Sequence, residues 1–129
     1  PTTKTPQRMI DQNTLAMFRS MQPAGKPSLL HELIDLYLEH SPGRIVDARK
    51  AFDARDGQQL KHSVHTLKGS SQNLGAIQVG KICRDIEELL NSDEWEKIEF
   101  RLNDLAATFD ASCKELLKIR SSDEQVQQS

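Results

Sequence analysis

Apolar residues recur every three to four positions along most of this chain, with polar residues between them. Such spacing places one apolar stripe on each helix, whereas a half-buried strand would alternate every second residue. The last predicted helix has the clearest stripe, formed by Trp95, Ile98, Leu102, Leu105, Phe109, Ser112 or Cys113, and Leu116. Three earlier stretches, 29–52, 60–74 and 79–90, have the same period. The pattern predicts an all-α protein.

Capping and turn residues separate these stretches. The residues that mark predicted helix starts and ends are Asp11, Pro27-Ser28, Asp56-Gly57, Gly75, and Ser92 or Asp93. Pro42 lies inside the second stretch, and because proline disfavours helix at the preceding residue, it predicts a kink or a brief interruption. The last helix is expected to end near Arg120, where the apolar period stops.

Short connections between helices favour antiparallel neighbours. The predicted architecture is therefore an antiparallel four-helix bundle with an additional short N-terminal helix, formed by residues 9–120. Residues 1–8 are predicted to be a flexible lead-in, and residues 121–129 a disordered polar tail without an apolar anchor.

The helix predicted from Gln58 to Asn73 carries a histidine on its polar face. Its inward stripe consists of Leu60, Val64, Leu67, Ser71 and Leu74. Its outward face consists of His65, Lys68, Gly69 and Gln72. Ser71 is expected to be a small packing residue or to bond a carbonyl one turn back.

A glycine inside a helix costs roughly 1 kcal/mol relative to alanine, so Gly69 needs a reason. Without a Cβ, it leaves space for a bulky group on the outer nitrogen of His65, or for a partner's backbone. Lys68, three residues after His65, is a mobile ammonium suited to an anion, and Lys61 adds a second positive charge one turn earlier. Imidazole is a competent nucleophile near neutral pH, so this group predicts a phosphoryl acceptor.

The segment His65-Thr66-Leu67-Lys68-Gly69-Ser70-Ser71, followed by Asn73-Leu74-Gly75-Ala76, resembles the signature of histidine-containing phosphotransfer (HPt) domains of bacterial multistep phosphorelays. The resemblance implies that His65 accepts a phosphoryl group from the aspartate of one response-regulator receiver domain and passes it to another. It also implies that Lys68 neutralises the phosphoryl charge and that Gly69 supports the site. Val64 replaces the small alanine that the family often has there, on the packing side of the helix.

The resemblance further implies a carrier and not an enzyme. The chain has no glycine-rich phosphate loop and no motif of an ATP-binding kinase domain. Mg²⁺ is expected on the partner receiver domain, with no cofactor or metal bound by this chain. The start at Pro1 favours a domain of a hybrid sensor histidine kinase over a free-standing carrier, and the parent protein could then be membrane-bound.

Further site residues follow from the same resemblance. Glu87 occupies a position where the family often has a polar side chain reaching the imidazole, and it is expected either to orient His65 or to be an exposed carboxylate. Lys61, His62 and Gln72 are expected to form the exposed docking surface, completed by residues of the second helix. His62 has neither a lysine at +3 nor a glycine at +4, so it is interpreted as a surface neighbour.

Two alternatives remain open from the sequence. One is a non-catalytic helical docking or dimerisation module in which this segment still meets a receiver domain but carries no phosphoryl group. The other is a small metal-binding protein built on His62 and His65, although no third ligand lies nearby in the sequence. A phosphate that is acid-labile and base-stable would separate the phosphorelay hypothesis from both.

Composition limits the partners and the cellular compartment that the sequence predicts. Lysine and arginine number 17 against 19 acidic residues, so no basic field favours nucleic acid. No apolar run approaches the roughly 20 residues of a membrane span, and direct membrane contact is not expected. Cys83 and Cys113 fall at apolar helix positions, which favours reduced thiols and a cytoplasmic setting.

Overall fold

The computed structural model describes residues 9–21 and 28–128, with side chains as far as Ser122. The regular structure in these ranges is helical, and its elements are α1 (Gln12–Ser20), α2 (Leu29–Asp53), α3 (Gly57–Leu74), α4 (Ile77–Asn91) and α5 (Trp95–Gln128). The predicted lead-in, residues 1–8, lies outside the described residues.

Helices α2 to α5 form a four-helix bundle. Each packs against the next in chain order, and α5 also packs against α2, which closes the bundle. The connections of two or three residues make consecutive helices antiparallel. The predicted fold class is confirmed, and α3 has α2 on one side, α4 on the other and α5 diagonally opposite.

Three helices begin at side-chain caps. The sequence predicts Asp11 as an N-cap, Ser28 as part of a helix start and Asp56 as part of a turn. Asp11, Ser28 and Asp56 each accept a backbone N–H of the first turn, and these bonds satisfy donors that have no partner within the helix. Gly75 ends α3 with a left-handed φ of 89°, also as predicted.

The predicted cap of the last helix is wrong. Ser92 is the C-cap of α4, and Asp93 has a φ of 56° instead of the extended backbone of an N-cap. The Asp93 carboxylate instead accepts the indole N–H of Trp95 at 2.8 Å. The left-handed backbone of Asp93 is what excludes it as the N-cap of α5.

Helix α2 continues through Pro42 from Leu29 to Asp53, so the alternative of a brief interruption is wrong. Proline inside a helix costs about 3 kcal/mol, because it removes one hydrogen bond and crowds the preceding turn. Buried residues on both sides of it, including Tyr37 and Ala48, hold the two halves against the same core. Their burial offsets the local cost.

Helix α5 extends beyond its predicted end near Arg120, and its backbone is helical as far as Gln128. The sequence after Arg120 contains no glycine or proline that would end a helix. Arg120 is also fixed to the bundle, because its guanidinium donates to both carboxylate oxygens of Asp35 on α2, at 2.8 and 3.0 Å. The division of the chain into a domain and a tail at this residue stays a prediction.

Helix α1 covers the end of the bundle at the α3–α4 turn. The backbone N–H of Asp11 donates to the carbonyl of Gly75 at 2.7 Å. Leu15 and Phe18 are buried, and the side chain of Thr14 packs directly over Gly75. This contact fixes the C-terminal end of the helix that carries His65.

We expect Gly75→Ala to lower the free energy of unfolding by about 1–3 kcal/mol, because a left-handed φ strains residues that have a Cβ. The new Cβ would also lie 3.0 Å from the Cβ of Thr14. Urea denaturation measures the change. Gly43→Ala is the matched control, since Gly43 lies inside α2 with nothing within 4 Å of an added Cβ, and it should leave stability unchanged or raise it. Equal effects of the two changes would contradict this account.

Candidate functional site

The inward stripe of α3 is buried as predicted. Leu60, Val64 and Ser71 are fully buried, and Leu67 and Leu74 nearly so. Ser63 is buried as well, toward α2, which the apolar pattern does not indicate because serine carries no apolar signal. The stripe fixes the rotation of α3 and therefore the direction in which His65 points.

His65 lies on the exposed face of α3, with 68% of its side chain accessible. Gly69 follows one turn later, and a Cβ built on it would meet nothing within 4 Å. The glycine is therefore not required for packing within this chain, and its helix-destabilising cost must have another reason. The space beside the imidazole is open to an incoming group.

Glu87 on α4 reaches the site from the neighbouring helix. Its Oε1 lies 3.3 Å from Nδ1 of His65 and 3.0 Å from Nζ of Lys68. Only 15% of the Glu87 side chain is exposed. A carboxylate oxygen accepts hydrogen bonds, so a neutral imidazole donates from Nδ1 and keeps Nε2 unprotonated. That leaves the outer nitrogen as the nucleophilic one.

Lys68 is less mobile than its position in the sequence suggests. Its side chain is 20% exposed, and its ammonium is paired with Glu87. A largely covered ion pair is screened less by solvent than a surface pair. The ammonium is therefore held beside the imidazole before any anion arrives.

The predicted docking residues Lys61, His62 and Gln72 are all exposed, but they lie on different sides of His65. His62 borders a shallow cavity between α2 and α3 that Asp47 also lines. Gln72 lies against α4, because a Cβ built on Gly80 would be 3.0 Å from its Cγ. These residues surround His65 and do not form a cluster of their own.

Behind the site, Tyr37 on α2 is bonded to Ser71 on α3 through their hydroxyl groups, at 2.7 Å. Both side chains are buried, and the ring of Tyr37 also packs on Phe109 of α5 at 5.7 Å between centroids. Burial raises the pKa of Tyr37, so the phenol stays protonated. Ser71 thus bonds a residue of another helix instead of the carbonyl one turn back that the sequence suggests. The apolar period of residues 29–52 includes Tyr37 but does not predict this bond.

We expect Tyr37→Phe to lower the free energy of unfolding by about 1 kcal/mol, because it leaves the Ser71 hydroxyl buried without its partner. The ring contact with Phe109 is kept, so the change isolates the hydrogen bond. Ser71→Ala should cost at least as much, since it strands the phenol. The double variant should recover part of the loss, because neither polar group then remains. Strictly additive losses in urea denaturation would refute the direct bond.

A recess of about 230 Å³ lies between α2 and α3, on the side of α3 away from Glu87. Its lining includes Leu33, Leu36, His40, Ser70 and Asn73. Leu36 is half exposed, which leaves an apolar side chain at the rim of a polar surface. Small apolar patches ringed by polar groups are typical of transient protein interfaces.

Comparison with known proteins identifies the family to which this arrangement belongs. Residues 32–118 match the Hpt domain family. The chain belongs to that family. An Hpt domain is a histidine phosphotransfer module of a phosphorelay, and it carries a phosphoryl group instead of acting as a kinase.

Curated relatives come from several kingdoms. Histidine-containing phosphotransfer protein 2 of Arabidopsis thaliana is 31% identical over 81 residues, which are 60% of this chain and 52% of that protein. Multistep phosphorelay regulator 1 of Schizosaccharomyces pombe is 29% identical over 80 residues, 62% of this chain and 27% of that protein. This Hpt chain therefore spans about half or less of the length of these relatives.

Solved structures support the fold. Histidine-containing phosphotransfer protein B of Pseudomonas aeruginosa PAO1 superposes with a TM-score of 0.77 and 23% identity, covering 88% of this chain and 96% of that one. The histidine-containing phosphotransfer protein ZmHP2 of maize gives a TM-score of 0.81 and 19% identity, with coverages of 92% of this chain and 87% of that one. At these identities the likeness shows that this Hpt domain has the bundle of those proteins.

The two cysteines of the Hpt domain are free thiols that face the core. Burial raises the pKa of Cys83 to about 12, and the charge of nearby Glu87 adds to the shift. Burial raises the pKa of Cys113 to about 11. Both thiols are therefore protonated at neutral pH, which makes them poor nucleophiles and poor metal ligands.

Among residues 9–21 and 28–128, no three His, Cys, Asp or Glu side chains are grouped so that they could hold a metal ion. Over the same part of the chain, none of the helices has the length and apolarity needed to cross a membrane.

Proposed function

We propose that this Hpt domain accepts a phosphoryl group on Nε2 of His65 from the aspartyl phosphate of one receiver domain and passes it to an aspartate of another. The observation that carries the proposal is the geometry around one imidazole. Nδ1 is 3.3 Å from a carboxylate oxygen, while the side chain is 68% exposed and the next turn is open at Gly69.

The reaction is a direct displacement at phosphorus. The lone pair of Nε2 forms the N–P bond as the bond from phosphorus to the aspartate oxygen breaks, and the receiver's carboxylate leaves with that electron pair. The imidazole keeps its proton on Nδ1 and becomes positively charged, and Glu87 lies next to that proton. The return step to a second aspartate reverses these events.

The domain supplies orientation and charge and not acid–base chemistry. Lys68 would neutralise part of the phosphoryl charge, because its ammonium lies on the same surface of α3 as His65. Mg²⁺ is assigned to the receiver, whose acidic pocket would hold it, and no cofactor is assigned to this chain. In coarse terms, membership of a phosphorelay implies receiver domains as partners.

The docking surface would be centred on His65. Lys61, His62 and Gln72 surround it, and the recess lined by Leu36 and Asn73 supplies an apolar part on the α2 side. Mixed apolar and polar surfaces of this kind suit a contact that must form and dissociate at each transfer. A cytoplasmic setting is proposed with it, since both cysteines are free and protonated.

The test is to incubate the chain with a phosphorylated receiver domain and to measure its intact mass before and after brief acid treatment. We expect a gain of one phosphoryl group that is lost in acid and stable in base. A chain that binds receivers without gaining mass would be a docking module instead. Tight zinc binding that requires both His62 and His65 would favour the metal-binding alternative.

A further inference from the structure

One oxygen of Glu87 is shared by two different partners. Oε1 lies 3.3 Å from Nδ1 of His65 and 3.0 Å from Nζ of Lys68. Glu87 and Lys68 are both largely covered, whereas His65 is exposed. One carboxylate and one ammonium therefore balance each other beside the imidazole.

Phosphorylation would change that balance. A phosphoryl group brings a charge of roughly −1.5 to −2 and three strong acceptor oxygens. Lys68 would then lie between two anions, the phosphoryl group on Nε2 and the Glu87 carboxylate. The imidazolium formed by the transfer adds one positive charge next to Glu87, so the phosphorylated ring as a whole still gains a negative charge of roughly 0.5 to 1. Lys61, exposed one turn before His65 on α3, is a further cation. The ammonium cannot satisfy both anions as fully as it satisfies one.

Resting on the proposed function, we propose that Glu87 is a positioning residue whose negative charge competes with the phosphoryl group for Lys68. The competition raises the free energy of the phosphorylated domain relative to the unphosphorylated one. The phosphoryl group on His65 is then easier to pass to the next aspartate. Glu87 thus both orients the imidazole and adjusts the phosphoryl-transfer equilibrium.

Glu87→Gln separates these two roles. The amide oxygen can still accept from Nδ1 of His65 and from Lys68, so the orientation is kept while the charge is lost. We expect the equilibrium between phosphorylated receiver and phosphorylated domain to shift toward the domain by on the order of tenfold, because partly covered charges at this distance interact appreciably. Glu87→Ala loses the orientation as well and should also slow transfer.

The experiment measures the ratio of phosphorylated domain to phosphorylated receiver at equilibrium, for wild type and Glu87→Gln. Glu88→Gln is the matched control, since it removes the same charge from the next residue of α4, which is exposed and faces the α4–α5 side. It should shift the ratio little. Nitrogen-15 NMR of the His65 ring in the unphosphorylated domain should show the proton on Nδ1 in both wild type and Glu87→Gln.

Lys68→Met tests the competition itself. Without the ammonium, Glu87 interacts only directly with the phosphorylated ring, through attraction to the imidazolium and repulsion from the phosphoryl group. Glu87→Gln should therefore shift the ratio less in this background than in wild type. An equal or larger shift would overturn the competition. If the wild type gains the phosphoryl group but the ratio for Glu87→Gln is unchanged or lower, the inference is overturned and the proposed function is not. A wild type that gains no phosphoryl group would overturn the proposed function and the inference with it.

Discussion

His65→Gln is expected to abolish phosphoryl transfer to the domain while leaving its fold unchanged. Glutamine has no ring nitrogen with a free lone pair, so no N–P bond can form at this position. The side chain it replaces is 68% exposed and contributes nothing to the core, so helical content and stability should be preserved. Intact mass after incubation with a phosphorylated receiver measures phosphoryl transfer, and circular dichroism measures helical content.

His62→Gln is the control for this result. His62 lies one turn earlier on the same helix and is also exposed, but it borders the α2–α3 side and not Glu87. It should take up the phosphoryl group at a rate within a few-fold of wild type. If the His65 variant were still labelled and the His62 variant were not, the assignment of the phosphoacceptor would be wrong.

The face of α3 could be predicted because it depends on one helix alone. Leu60, Val64 and Leu67 repeat at the helical period, and their burial determines that His65 points outward. The open space at Gly69 follows from the same rotation. The helical period of α3 is therefore sufficient to predict which face carries His65, without knowledge of any contact between helices.

Contacts between helices could not be predicted in this way. The sequence left Glu87 either as a partner of His65 or as an exposed carboxylate, because the choice depends on how α4 is rotated against α3. The bond between Tyr37 and Ser71 joins residues 34 positions apart, and neither position carries a pattern that specifies it. The pairing of Lys68 with Glu87 likewise depends on the packing of two helices.

The predicted N-cap of α5 and the alternative of a brief interruption of α2 at Pro42 are wrong, because each depends on a small difference between competing interactions. Asp93 has the side chain of a good N-cap, yet it accepts the indole N–H of Trp95 and has a left-handed backbone. Pro42 is a strong helix breaker in isolation, but α2 continues through it because the core holds both halves. Around Pro42 tertiary packing outweighs a local preference of about 3 kcal/mol. At Asp93 one local interaction, with the residue two positions later, replaces another of about 1 kcal/mol.

Gly69→Leu should block transfer without weakening the fold, which separates a functional role of this glycine from a structural one. A Cβ at position 69 meets nothing within 4 Å, and leucine favours helix over glycine by about 0.8 kcal/mol, so stability should be unchanged or higher. Helical side chains lean toward the N-terminus, so the added side chain would cover the turn that carries His65. An obstruction of this kind at the reacting nitrogen should slow transfer by on the order of a hundredfold.

Ala107→Leu is the matched control, since it places the same side chain at an exposed position of α5, diagonally opposite α3. Its transfer rate should equal that of wild type. Gly69→Ala should lie between wild type and Gly69→Leu, because a methyl group fills only part of the open space. Single-turnover transfer from a phosphorylated receiver, with urea denaturation of each variant, gives the comparison. If Gly69→Leu transferred at the wild-type rate, the glycine would serve neither the phosphoryl group nor the receiver, and its cost to α3 would be unexplained.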